Sequence, residues 1–440
     1  MRCRNFAQCR CRQLQYHRPT NAPLGMTMLS RRAFLQGAAA TSLAASTGFA
    51  GVSPQAALKS MTGEAKPISV EERRERIARV QTLMAQQKVA ALLIEPGSSL
   101  EYFTGVRWRR SERTTLAIVP ASGGILMVTP AFEEPSVRET LQVGGDVRPW
   151  DEHENPFDKI VQGLKDRGVS SGLLAAESTI RFFIVSGIRQ VSRAYEIIPA
   201  DPLVRACRLL KSPAELALLQ VANNVTIEAL RQVHAQVARG MSAADIMALM
   251  DRATITLGSS PEFSMVLLNE ASAYPHGSVQ PQKIREGSVI LMDCGCAVHG
   301  YQSDISRTWV FGEPTSRQRK VWNTVKRGQE IALETAQINA PVGSIDDAVR
   351  KYYESEGWGP GYRLPGLSHR TGHGIGLDGH EPPYLVHGDA TPLQAGMCFS
   401  DEPGIYIPGE FGIRLEDCWF MTASGPKLFT HLAKSLEDPI

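Results

Sequence analysis

"SVILMDCGCAVHGYQSDISRTWVFG", Ser288 to Gly312, opens on an apolar run, Val289 to Met292, and then places Asp293. Such a run predicts a buried strand. Gly295 and Gly300 let the chain bend, and a second strand-like run contains Asp304. A carboxylate straight after a buried strand is costly unless it is paired or bound to a cation. Two aspartates eleven residues apart on facing arms of a hairpin can reach one cation. A capped turn aspartate beside a surface aspartate is the other reading of these residues alone.

Downstream, "HRTGHGIGLDGHEPP" (369–383) carries His369, His373 and His380 among four glycines. His369 and His373 have the i, i+4 spacing of a helical zinc site, but no Glu follows His369. Gly372, Gly374 and Gly376 weaken any helix there. The segment is therefore a strand or loop whose backbone comes close to something. Its glycine spacing does not match a dinucleotide loop, and no βαβ unit surrounds it. Two further acids complete the set. Glu402 follows "GMCFSD" and precedes Pro403 and Gly404, and Glu416 ends "EFGIRLE". The run "FGIRLEDCWFM" alternates like one strand, with Arg414 and Glu416 on the same face.

One histidine with four carboxylates makes an oxygen-rich site, which suits Mn²⁺ better than Zn²⁺. Four carboxylates carry a charge that one divalent ion only half neutralises and two ions balance. Carboxylates bridge such ions at roughly 3.5–4 Å, the spacing of two-metal hydrolases. "CGC" at Cys294 to Cys296 has no second pair and reads as small strand-end residues rather than a thiolate site.

The chain has 440 residues, which suggests two domains. At 43% hydrophobic and 21% charged it is globular in composition. No run of about 20 apolar residues predicts a membrane helix. The first fifty residues hold seven arginines and no acid; the rest holds 40 basic and 45 acidic residues. That body has no charge reason to bind nucleic acid. Within residues 1–50, "SRRAFLQGAAATSLAASTGFA" joins Arg31 and Arg32 to a short Ala/Ser/Gly-rich apolar run and small residues. It resembles a twin-arginine export signal, which implies a periplasmic or exported protein. Met26 and Met28 are alternative starts. Five cysteines in the body do not make a disulfide scaffold.

Residues 51–69 read as a loose linker. From Val70 to residue 203 strands and amphipathic helices alternate, as in an α/β domain. "EERRERIARVQTLMAQQ" and "NPFDKIVQGLKDRG" are helices; "VAALLIEP", "TTLAIVP", "GGILMVTP", "SGLLAAES" and "YEIIPAD" are strands. A second domain, 204–440, begins with a long helix. Ser212, Pro213 and Glu215 start it, and Gly240 is its expected stop. The helix "SAADIMALMDRATITLG" follows.

Together the motifs "MDCGCAVHGYQSDISRT", "TGHGIGLDGHE", "DEPGIYI" and "GIRLED" resemble those of the "pita-bread" metallopeptidases, in particular Xaa-Pro dipeptidases (prolidases) and aminopeptidase P. The resemblance covers roughly residues 70–435. It implies a creatinase-like α/β N-terminal domain and an α+β pita-bread catalytic domain. It also implies two divalent ions, Mn²⁺ first with Co²⁺ or Zn²⁺ as alternatives, held by Asp293, Asp304, His373, Glu402 and Glu416. Asp304 and Glu416 bridge, and Glu402 is the general base. His276, in "SAYPHGS", and His380 match substrate-contacting histidines. Tyr406 and Arg414 match positions linked to a proton relay and support, and His369 is a further catalytic candidate that is not a ligand. A small peptide substrate and a homodimer are implied as well. Prolidases commonly place an arginine after "HExP" to hold the dipeptide carboxylate, but here that place holds Tyr384. Arg370, or Arg109, Arg110 and Arg113 in "RWRRSERT", are the substitutes. The two glutamates are fourteen apart, as in compact prolidases, which favours a dipeptidase. An aminopeptidase on longer peptides, or a non-peptide amide hydrolase or lyase on this fold, are the alternatives.

Overall fold

A computed structural model describes residues 58–440. The twin-arginine leader, residues 1–50, lies outside the described residues.

The N-terminal half is one six-stranded sheet in the order 146–150, 126–130, 116–120, 89–94, 172–176, 195–199. Its central strand, Val89–Ile94, runs parallel to Gly172–Ala176 and antiparallel to Leu116–Pro120. Both faces of that strand are covered. Leu92 and Ile94 pack with Ile77, Val80 and Met84 of the helix Val70–Gln86, while Ala91 and Leu93 pack with Ile160 and Leu164 of the helix Pro156–Lys165. Burial on both sides is why these strands read as continuous apolar runs rather than alternating ones.

Residues 58–69 are not the loose linker that their composition suggests. Met61 N–H donates to Leu257 O, Thr62 Oγ1 donates to Gly258 O, and Ile68 is buried. The segment is strapped to the catalytic half, because Ile68 and the partly buried Leu58 and Ala65 pack on its core.

The helix Asp201–Arg208 runs across the expected boundary at residue 203, and Leu209–Ser212 forms the link. Ser212 then caps the helix Pro213–His234 in a reciprocal capping box with Glu215. That helix ends six residues before Gly240. Val237 and Met241 pack on the core, and Gly240 N–H meets Ile284 O, so tertiary contact stops it.

The catalytic half is built of curved sheets backed by helices. Ser288–Val298 is the middle strand of one sheet, between Ser260–Leu268 and Ile305–Phe311. A five-stranded sheet has the order 381–385, 372–374, 398–401, 417–422, 425–428, and Gly404–Ile407 pairs with Phe411–Arg414 as a hairpin. The helices Ser316–Thr335 and Gly343–Ser355 bury Val321, Trp322, Val325, Ile345 and Val349 against these strands. This is a creatinase-like α/β domain followed by an α+β pita-bread domain. No described helix is long and apolar enough to cross a membrane.

One buried ion pair ties the two catalytic sheets together. Arg307 and Asp417 have no exposed side-chain surface, and Arg307 Nη2 lies 2.7 Å from Asp417 Oδ1. Arg307 Nη1 also donates to the carbonyl of Glu416 at 2.8 Å. Arg307→Met strands a buried carboxylate and is expected to cost about 3–5 kcal/mol, read as a lower urea midpoint. An unchanged midpoint would show that water reaches Asp417.

Candidate metal centre

Five side chains from separate elements converge on one chamber. Asp293 sits inside the strand Ser288–Val298, opposite Ser306, rather than at the strand end. Asp304 directly precedes the strand Ile305–Phe311. His373 is the middle residue of Gly372–Gly374, a strand and not a helix. The glycines serve close strand packing: a Cβ on Gly374 would lie 2.4 Å from Glu381 O, and one on Gly372 would lie 2.3 Å from Ser400 O. Glu402 lies just beyond Cys398–Asp401. "FGIRLEDCWFM" is not one strand. Phe411–Arg414 and Asp417–Thr422 belong to different sheets, and the break at 415–416 turns Glu416 inward, where Ser306 Oγ donates to its Oε2 at 2.7 Å.

The donor atoms are close and mutually unsatisfied. Ligating atoms of Asp293, Asp304 and Glu416 lie within 4.8 Å of one another, as do those of His373, Glu402 and Glu416. The two groups share Glu416. His373 Nδ1 lies 3.0 Å from Gly374 O, which makes Nδ1 the protonated nitrogen and leaves the Nε2 lone pair facing the chamber. Nε2 is 3.5 Å from Asp304 Oδ2 and 3.4 Å from Glu402 Oε1. Buried Asp293 Oδ1, His373 Nε2 and Glu416 Oε1 have no hydrogen-bond partner.

Electrostatics say the same. Burial, then the neighbouring carboxylates, push Asp304 and Glu416 well above the usual carboxylate range. Burial pushes Glu402 up to about 8, against the pull of Arg414. Burial, then nearby His380, holds His373 down at about 3, so the ring is neutral and free to ligate. Orphaned donor atoms, crowded acids and a neutral imidazole fit divalent cations.

A second chain of groups backs the chamber. His369 Nδ1 donates to Arg370 O at 2.7 Å, so its Nε2 accepts from Tyr406 Oη, also at 2.7 Å. Tyr406 Oη in turn accepts from Arg414 Nη1 at 3.0 Å, and Arg414 Nη2 lies 2.5 Å from Asp293 Oδ2. Burial holds His369 at about 3 and pushes Tyr406 to about 12. His276 lines the mouth, and the ring of His380 stacks on that of His373 with centroids 3.8 Å apart.

Of the substitute arginines, only Arg370 lines the chamber. Its guanidinium lies 4.1 Å from the centroid of Tyr384, with no carboxylate paired to it among the described residues. Arg109, Arg110 and Arg113 do not line it. Arg113 pairs with Glu112 and Glu152, and Arg110 donates to Pro96 O. Cys294 and Cys296 are buried within the strand, where burial raises the Cys294 thiol further.

Sequence reasoning passed over Phe263, Met265 and Gln302, which also line the chamber, and the charged group Arg208, Lys211, Asp378 and Glu381 beside it. Glu381 stands within the quoted histidine segment; its adjacency to His380 was the available signal.

Fold and site together define a two-domain hydrolase with a carboxylate-rich centre for divalent cations. The pattern of metallopeptidase family M24 matches residues 217–423, and that of the creatinase/prolidase N-terminal domain matches residues 76–210. An uncharacterized peptidase of Schizosaccharomyces pombe is 33% identical over 401 residues, 86% of each chain. A probable dipeptidase PepE of Mycobacterium tuberculosis is 30% identical and covers 80% of this chain and 92% of its own. Among solved structures, recombinant prolidase from Thermococcus sibiricus superposes with a TM-score of 0.76 at 27% identity, covering 82% of this chain and 97% of that one. The chain belongs to metallopeptidase family M24. Peptidases of this family use two divalent ions in one site, and the donor groups described here fit that use.

Proposed function

We propose that the protein is an Xaa-Pro dipeptidase. The observation that carries this reading is the chamber itself: five converging ligand side chains with an unpaired guanidinium, Arg370, at their edge. Asp293, Asp304, His373, Glu402 and Glu416 would hold the ions. The oxygen-rich donor set favours Mn²⁺. When bound, the ions polarise the scissile carbonyl and make a hydroxide available near neutral pH.

The chain's own residues do the rest. Glu402 takes the proton from the attacking water and returns it to the proline nitrogen as the C–N bond breaks, leaving a secondary amine. His276 and His380 donate hydrogen bonds where the carbonyl oxygen gains charge. Arg414, braced by Tyr406 and through it by His369, orients Asp293. Arg370, steadied on Tyr384, takes the proline carboxylate, the work usually given to an arginine at the place of Tyr384. A bond to proline offers no N–H for general peptidases to grip, so a dedicated pocket is required.

The test is cleavage of Ala-Pro beside Ala-Pro-Ala with added Mn²⁺. Preference for the dipeptide is expected, and Arg370→Ala should raise KM for Ala-Pro about 10-fold or more with a smaller change in kcat. Cleavage of the tripeptide alone would replace this reading by an aminopeptidase. Silence on both, in metal-loaded protein, would move it to a non-peptide substrate. Export of the folded chain and assembly as a homodimer belong to the same proposal. Arg31→Lys with Arg32→Lys should abolish the periplasmic fraction, and light scattering should give twice the chain mass.

A further inference from the structure

Beside the metal chamber lies a cluster of charges that none of the roles above uses. Glu381 begins the strand Glu381–Leu385 and pairs with Gly374, next to His373. Its buried carboxylate is gripped at both oxygens: Lys211 Nζ donates to Oε1, and Arg208 Nη2 donates to Oε2 at 2.6 Å. Arg208 Nη2 also reaches Asp378 Oδ2 at 2.8 Å, which accepts from Ser98 Oγ at 2.7 Å. Arg208 Nη1 donates to Ser98 and Ser99 at 2.9 and 3.2 Å. The fit is tight: a Cβ on Gly376 would lie 2.9 Å from Glu381 Oε1 and 3.1 Å from Lys211 Cε.

Where these groups come from is informative. Asp378 and Glu381 bracket the turn that carries His380. Ser98 and Ser99 open the helix Ser98–Thr104 of the N-terminal domain. Arg208 ends the helix Asp201–Arg208, and Lys211 lies in the link to the catalytic half. The turn is thus pinned on both sides of His380 by groups outside the catalytic sheets. His380 has no hydrogen bond of its own among the described contacts. Its ring lies over that of His373, 3.8 Å between centroids, with a ring nitrogen within 4.8 Å of donor atoms of Asp304 and His373, and the rest of the ring is exposed.

We propose that Arg208, with Lys211, is a positioning residue: by holding Asp378 and Glu381 it fixes the His380 imidazole over the metal chamber. The N-terminal domain and link thereby set the geometry of a group in the catalytic domain. A guanidinium suits this task because its rigid planar fork lets Nη2 bridge the two carboxylates while Nη1 is held by Ser98 and Ser99, a fixed geometry an ammonium lacks. The catalytic consequence rests on the role given to His380 above; the placement of the ring does not.

A double-mutant cycle separates positioning from ordinary domain adhesion. Arg208→Met and Asp378→Asn are made with and without His380→Ala and assayed on Ala-Pro with Mn²⁺. Arg208→Met should lower kcat about 10- to 100-fold with KM within about 3-fold, since a misplacement near 1 Å costs on that order. In the His380→Ala background the same change should cost less than about 3-fold. Equal losses in both backgrounds would overturn the proposal. Asp378 is half exposed, so Asp378→Asn keeps the cycle usable if Arg208→Met fails to fold; its expected loss is about 3- to 10-fold.

A second readout needs no turnover. The His380 ring protons, assigned by their absence in His380→Ala, should resonate at a position shifted by the stacked His373 ring. In Asp378→Asn or folded Arg208→Met they should move toward free histidine; an unmoved signal would overturn the proposal. If wild type fails to cleave Ala-Pro, the dipeptidase reading falls, and the resonance still decides this one.

Discussion

Glu402→Gln is expected to lower kcat on Ala-Pro by about 10³-fold or more while leaving a folded protein. General base catalysis is worth about 10²–10⁴-fold, and the residue is also one of the proposed ligands, so its loss would disturb the site twice. The amide keeps the shape and removes the basic oxygen. Stability should not follow activity. Burial and Asp293 hold the Glu402 carboxyl up at about 8 in the cation-free site, so its charged form is disfavoured there. Glutamine imitates the protonated acid without needing a proton. The cation-free variant should therefore unfold at a urea concentration no lower than the cation-free wild type. A dead variant with an unchanged midpoint locates the defect in chemistry. A variant keeping a tenth of the activity would remove Glu402 from the role of base.

The acids and the histidine were legible because each stands at a local contradiction. Asp293 interrupts an apolar strand, Asp304 opens another, and His373 lies among glycines that no helix would tolerate. A charge or a glycine where packing argues against it signals a site. The six-stranded sheet was legible for the opposite reason: its apolar runs agree with their surroundings, though the strand Asp146–Trp150 was not foreseen. What failed was whatever depends on distant partners. Period-two alternation across 411–421 continues through a real break, because the turn at Glu416 is set by Ser306, 110 residues away. Glu381 meets Arg208 and Lys211 across 173 and 170 residues, and nothing local in any of the three announces the other two. The stop at His234 was likewise dictated by packing of Val237 and Met241 and not by a breaker. Among the arginines, sequence offered four candidates to replace the residue at Tyr384, and only tertiary placement separates Arg370 from the rest.

Stripping the divalent ions should destabilise the protein by more than any single substitution discussed above, and the loss should depend on pH with a definite sign. A ligand that binds only the folded state adds about 4 kcal/mol when present at 1,000 times its Kd. Two such sites would give on the order of 8 kcal/mol. The pH dependence follows from the groups that replace the ions. Without a cation, Glu402 is raised to about 8, and Asp304 and Glu416 are raised well above normal, by burial and mutual repulsion. In the unfolded chain these carboxyls ionise near pH 4. His369 and His373 are lowered to about 3 by burial, so they are neutral in the fold and titrate near 6.5 when unfolded. Below pH 6.5 the two sets oppose each other. Above pH 6.5 the unfolded histidines lose their remaining protons, so their opposing contribution fades, while the folded carboxyls, joined by His387 beside Asp347, still hold extra protons. Stability of the stripped protein must then fall as pH rises, by about 1.4 kcal/mol per pH unit for each proton retained. In the loaded protein the cations displace those protons, so metal affinity, and stability with it, should rise over the same window. Urea midpoints at pH 6.5, 7.2 and 8.0, with a chelator and with Mn²⁺, should diverge as pH rises. Parallel lines would mean the acids are ionised without a cation, and the crowding of Asp304, Glu402 and Glu416 could no longer be offered as the reason the site takes divalent ions.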